Sequence, residues 1–188
     1  MSVFDNGNAV WFLMRGSGVV SLLLLTGVMA LGIATHGGVR LGSMPRFATL
    51  ALHRSVSLLA VVFIAIHVAT AVIDPFAAVR LVDVFVPFTA ASRPLLVGLG
   101  ALAVDLVLAL VVTGLLRERI GRRTWRAIHW AAYATWPAAL IHAIGIGTDT
   151  PSLWLRALGI GSVALIGGAV AWRMLLPSGR PSSPATAR

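Results

Sequence analysis

Four of the five histidines in this 188-residue chain stand inside long apolar stretches, where an ionisable side chain is costly and is read first as functional. They form two pairs, His53 with His67 and His129 with His142, separated by 14 and 13 residues. At 1.5 Å per helical residue these separations are about 21 and 20 Å. If both carrier helices cross in the same direction, His53 levels with His129 and His67 with His142. Two imidazoles facing each other at one depth suit a b-type haem with two axial histidines, and a helical bundle builds such sites from facing side chains. Four histidines spread over about 20 Å cannot share one zinc, whose ligands lie about 2 Å from the metal. A proton relay would not call for matched depths. The fifth histidine, His36 in Thr35-His36-Gly37-Gly38, has no such partner and is expected to be a solvated turn residue.

The elements that must carry these residues are membrane helices. Hydrophobic residues make up 58% of the chain and charged residues 11%, too few charges to cover a water-soluble fold. Five stretches, near 9–34, 48–73, 94–116, 124–147 and 153–175, are long enough for a hydrocarbon layer of about 30 Å. Lipid permits only helices or closed barrels, and no period-2 pattern competes, so the expected fold is an all-α polytopic transmembrane bundle of five spans. The first stretch lacks a basic leader and is too long for a signal peptide, so it is kept as a span. Residues 177–188 are rich in Pro, Ser and Ala and are expected to be a disordered tail, leaving 1–176 as the transmembrane domain. With no cysteine, thiolate-held clusters, cysteine zinc sites, disulfides and cysteine nucleophiles are excluded.

All 15 basic residues are arginine and the net charge is +9. The arginines sit in short runs between apolar segments rather than on a polar face with interleaved aromatics, which argues against nucleic acid. Arg117, Arg119, Arg122, Arg123 and Arg126 fall in one link, Arg40, Arg46 and Arg54 around another, and Arg173, Arg180 and Arg188 at the end. The other links mix Asp74, Arg80, Asp83 and Arg93, and Asp149 with Arg156. The positive-inside rule then expects an N-terminus outside and a cytoplasmic C-terminus. In that frame His53 and His129 lie near the cytoplasmic face and His67 and His142 near the outer face.

Helical phase adds a requirement. Fourteen steps of about 100° return His67 to within about 40° of His53, whereas thirteen leave His142 about 140° from His129. The second carrier must therefore be distorted, and Pro137, which removes the backbone bond to Tyr133, is the expected place.

On Leu52-His53-Arg54 through Ile66-His67, Arg123-Thr124-Trp125-Arg126-Ala127-Ile128-His129-Trp130, and Leu140-Ile141-His142 followed by Gly145-Ile146-Gly147-Thr148-Asp149, the chain resembles the ferric reductase-like transmembrane domain family. Its relatives include NADPH oxidases, eukaryotic ferric reductases and the haem subunit of the bacterial methionine sulfoxide reductase system. The resemblance reaches to about Arg173. It implies two b haems ligated by His53, His67, His129 and His142 that pass electrons across a cell membrane, from a cytoplasmic donor to an extracytoplasmic acceptor. Two departures stand out. The oxidases and many reductases have a further span before the equivalent of the first one here, and a cytoplasmic flavin- and nicotinamide-binding region, neither of which these residues contain. NADPH oxidases also carry a second histidine four residues beyond the outer ligand, where Ala71 stands, which weakens an oxygen-reducing assignment. Electrons are expected from a separate flavoprotein or from quinol.

Haem propionates favour arginine at the bilayer edge. Arg54 and Arg126 are placed for the cytoplasmic-side haem, with Arg46 beside them, although positive-inside topology alone also explains them. Arg15, about one turn into the first span, is expected to meet an outer propionate or an anionic acceptor, with snorkelling to the surface as the alternative. Asp105, in mid-span, is expected to make a neutral structural hydrogen bond rather than a proton channel. Trp130, Tyr133 and Trp136 are read as packing residues that could also touch a macrocycle, and Phe63 as a filler between the haems. Gly16, Gly18, Gly27 and Gly32 allow close approach of a flat ring or of another helix. Bis-histidine ligation leaves no open position on iron and favours outer-sphere electron transfer. Two other readings are a quinol-oxidising dihaem cytochrome b and a haem-free membrane adaptor or transporter with structural histidines.

Overall fold

A backbone in hydrocarbon must satisfy its own hydrogen bonds, and the computed structural model, which describes residues 6–36, 45–146 and 152–175, does so almost entirely with helices. They are α1 (Asn6–His36), α2 (Arg46–Ile73), α3 (Leu81–Phe85), α4 (Pro94–Leu115), α5 (Arg117–Ile120), α6 (Arg122–His129), α7 (Ala132–Ile146) and α8 (Leu153–Leu175). No strand occurs among the described residues. Among the described residues, four helices are long and apolar enough to cross a membrane, over Ala9–Thr35, Phe47–Ile73, Pro94–Leu115 and Leu153–Leu175. The chain is a multi-pass membrane protein. The tail at 177–188, Arg40 and Asp149 lie outside the described residues.

The stretch expected as a single span over 124–147 is divided. It forms α6 and α7, joined at Trp130 and Ala131, and the 15 residues of α7 rise only about 22 Å. At the joint the bonds shorten from four residues to three: Trp130 N–H donates to Ala127, Ala131 to Ile128, Tyr133 to Trp130 and Ala134 to Ala131. Such 3₁₀ winding advances about 120° per residue instead of about 100°. Four tightened steps recover about 80° of the 140° mismatch between His129 and His142. The distortion thus lies on the N-terminal side of Pro137, which sits inside α7.

Two hairpins dominate the packing, α1 on α2 and α4 on α7, and α1 also lies against α7 and α8. Lipid gives no hydrophobic drive between helices, so small and hydroxyl residues make the interfaces. Ser17, Ser21, Thr26, Thr49, Thr70, Thr135 and Ser162 are all buried. Most satisfy themselves on their own helix: Ser21 donates to Ser17 at 2.7 Å, Thr26 to Leu22 at 2.8 Å and Thr70 to Ile66 at 2.7 Å. Thr26 also accepts a 3.0 Å bond from the indole N–H of Trp136, tying α1 to α7 midway between the histidine levels.

The link from α2 to α4 is built around a carboxylate. Asp83 is 1% exposed and receives the guanidinium of Arg80 on both oxygens, at 2.7 and 3.0 Å, together with the Arg80 backbone N–H and the Thr89 hydroxyl, each at 2.9 Å. The hydrogen bonds from the Arg80 side chain, helped by those from its backbone and from Thr89, outweigh desolvation and hold the Asp83 carboxyl well below the ordinary carboxylate range. At the other end of the molecule, Gly121 takes φ +79° to turn α5 into α6, a backbone state open to glycine at little cost.

Candidate functional site: two levels of paired histidines

His67 projects from α2 and His142 from α7, and their rings lie with centroids 6.2 Å apart and planes 77° apart. Each ring is anchored from behind. His67 Nδ1 lies 2.8 Å from the carbonyl oxygen of Met14, and His142 Nδ1 lies 2.8 Å from that of Leu96. A carbonyl can only accept, so both Nδ1 atoms carry the proton and both Nε2 atoms keep a lone pair. That is how a metal-ligating histidine is oriented by its outer partner.

The close approach depends on glycine. A Cβ at Gly18 would stand 2.9 Å from His67 Nδ1, and one at Gly100 would stand 2.6 Å from His142 Nδ1. Gly18 follows Met14 by four residues and Gly100 follows Leu96 by four. On each helix one turn therefore supplies both a bare backbone surface for the ring and a carbonyl for its N–H. Among the described residues, no group of three or more His, Asp or Glu side chains could hold a metal ion; what this level offers is a pair of imidazoles. A metal gripped from opposite sides by two such nitrogens at about 2 Å would separate the ring centroids by about 6 Å, in line with what the rings show. The residues fit a group held by two axial imidazoles.

At the second level His53 of α2 and His129 of α6 lie within electrostatic reach of each other. Gly32 meets His53 Cε1 at 3.6 Å. The carbonyl of Val28, again four residues earlier, is turned to the His53 ring without closing a good hydrogen bond, so His53 Nδ1 is buried and unpaired. His129 stacks on Trp125, with centroids 4.9 Å apart and planes 26° apart, and nothing lies within 4 Å of a Cβ built on Gly114. This level is more open than the first.

The supporting residues divide. Arg54 and Arg126 are exposed on the helices that carry His53 and His129, as are Arg117, Arg119, Arg122 and Arg123, so α5 and α6 present a cationic face. Arg15 places its guanidinium 4.6 Å from the centre of the Trp11 ring and makes a further interaction. Trp130 and Tyr133 stack on each other at 5.1 Å, and Trp130 is exposed. Trp136 instead bridges to Thr26. Asp105 is half-buried in the middle of α4. His36 closes α1 and Arg46 opens α2.

Gly100, Met14, Leu96 and Val28 were not marked by residue type. The available signal was spacing: Gly18 and Gly32 are 14 apart, as are His53 and His67. The family model for the ferric reductase like transmembrane component matches residues 17–140, taking in His53, His67 and His129 and stopping just before His142. No curated protein and no solved structure matches the chain.

Proposed function

The chain belongs to the ferric reductase-like transmembrane component family, and from that premise we propose that it is a membrane electron-transfer subunit with one b haem at each histidine level. When bound, the two haems supply one-electron carriers at two depths, about 20 Å apart along the helices. The observation that carries this reading is the His67–His142 pair, with rings 6.2 Å apart and both Nδ1 protons fixed on backbone carbonyls. His67 and His142 would hold one haem, and His53 and His129 the other. With both imidazoles of a level as its ligands, a haem held there would leave no iron position for a substrate, which favours outer-sphere transfer.

In this proposal α6 and α7 together form the fourth of five spans, with the N-terminus outside, the C-terminus cytoplasmic and the domain occupying residues 1–176. The arginines of α5 and α6, with Arg54, then lie on the cytoplasmic side. Arg54 and Arg126 are exposed beside their histidines and would receive propionates, and Arg15 would serve the outer level. The cationic face of α5 and α6 suits an acidic flavoprotein as donor, and the acceptor lies outside. The membrane is a cell membrane.

Haem quantification and a redox titration of the purified chain, expressed with added haem, test the reading. Two low-spin b centres per chain are expected, reducible by a flavoprotein. One centre would refute the pairing, none would favour a haem-free adaptor, and reduction by quinol without a flavoprotein would select the quinol-oxidising cytochrome b.

A further inference from the structure

The α1–α2 and α4–α7 hairpins repeat one device. On α1, Met14 and Gly18 serve His67, and Val28 and Gly32 face His53, each glycine four residues after its carbonyl. On α4, Leu96 and Gly100 serve His142. Moving 14 residues along α1 carries the first cradle onto the second. The same step along α4 carries Leu96 onto Leu110 and Gly100 onto Gly114. Fourteen residues leave only about 40° of rotation and cover about 21 Å, so Gly114 shares the helix face of Gly100 at the depth of the second histidine level. α6, which bears His129, packs on α4.

We propose that Leu110 and Gly114 form the fourth cradle and are positioning residues for His129. The ring leaves Trp125, lies against Gly114 and donates Nδ1–H to the Leu110 carbonyl, so that each of the four imidazoles faces a glycine and the carbonyl four residues before it. The α6–α7 joint is where the movement is accommodated, since its three-residue bonds mark a rewound segment rather than a continuous helix. This inference rests on the dihaem reading of the preceding section.

The structure makes the test sharp. A Cβ at Gly114 meets nothing within 4 Å, and the same holds at Gly27, which points about 140° away from Gly32 on α1. Packing alone therefore expects Gly114→Ala and Gly27→Ala to be equally silent. The fourth cradle expects Gly114→Ala to remove one haem of two, or to keep both while shifting the midpoint potential and low-spin electron paramagnetic signal of one centre only. Gly27→Ala and Trp125→Leu should retain both centres unchanged. Gly114→Ala with two unaltered centres would overturn the inference, and so would simultaneous loss of both, which would mark a general defect of the fold. Loss of one haem in Trp125→Leu would also overturn it, by making the indole the working partner of His129. A wild-type chain with fewer than two haems would overturn the dihaem reading itself, an outcome distinct from a silent Gly114→Ala in a chain that holds two.

Discussion

His67 and His142 approach from different hairpins to a centroid separation of 6.2 Å, and neither ring is placed by its own helix alone. Each is held by a carbonyl on the facing helix, Met14 for His67 and Leu96 for His142. Removing one imidazole should therefore leave the other still oriented but without its partner. His67→Ala is expected to lower the haem content from two per chain to one, with the remaining centre keeping its low-spin spectrum. Pyridine haemochrome quantification and a redox titration check this. An unchanged content would refute the assignment of His67.

Gly100 should be the less tolerant of the two glycines behind that pair. An added methyl would stand 2.6 Å from His142 Nδ1, against 2.9 Å for Gly18 and His67, and the obstacle in both cases is a ring already bonded to backbone. Either the ring or the helix must move, and the Nδ1 bond is lost or bent. Changes in the outer partner of a metal-ligating histidine cost about 10–100-fold in metal affinity. Gly100→Ala is expected to weaken haem binding at this level within that range, and Gly18→Ala by less. Haem titration of the two variants, read at the Soret band, gives the order directly.

The long helices were readable because length and apolarity alone decide them, and α1, α2, α4 and α8 stand close to the stretches at 9–34, 48–73, 94–116 and 153–175. The matched levels were readable because helical rise converts spacing into depth. The joint at Trp130 and Ala131 was foreseen only as a need for distortion. Pro137 is the conspicuous residue, yet the three-residue bonds fall before it, where no proline or glycine marks the sequence. The cradles were harder, since Met14 and Leu96 act through backbone carbonyls, which side-chain type does not reveal. The knot of Arg80, Asp83 and Thr89 was hidden for a related reason: loop charges look solvated until burial is known.

That knot should give the protein an acid-sensitive link. The Asp83 carboxyl is held well below its ordinary range, chiefly by the Arg80 side chain, so the folded state binds the proton less readily than the unfolded chain. A lowered folded value contributes stability that is complete above the unfolded value of about 3.9 and is lost as pH falls through the folded value. Asp83→Asn is expected to be less stable than wild type near neutrality, and the difference should shrink steadily below about pH 4. Thermal unfolding of both proteins in detergent across that range measures it. A gap independent of pH would show that the carboxylate charge contributes nothing.

Trp136 and Thr26 offer a test of how the two hairpins are joined. The indole N–H of Trp136 reaches across from α7 to the Thr26 hydroxyl at 3.0 Å, and Thr26 is buried while donating its own proton to Leu22 at 2.8 Å. The hydroxyl thus acts as acceptor across the interface and donor within its helix, so removing it leaves the indole N–H facing apolar surroundings, whereas removing the indole takes away one of the hydroxyl's two bonds. Hydrogen bonds between membrane helices average about 0.6 kcal/mol in double-mutant cycles, because the separated helices also find partners. Trp136→Phe and Thr26→Val should each destabilise the protein, and the double variant should be less damaged than the sum by about 0.6 kcal/mol. Trp136 stands seven residues from His129 and six from His142, so its variant should loosen the hairpins between the levels without deleting a ligand. Both haems are accordingly expected to remain bound in Trp136→Phe. Additive effects within about 0.3 kcal/mol would mean that the indole matters by its bulk, and selective loss of one haem would place it among the groups that hold a macrocycle.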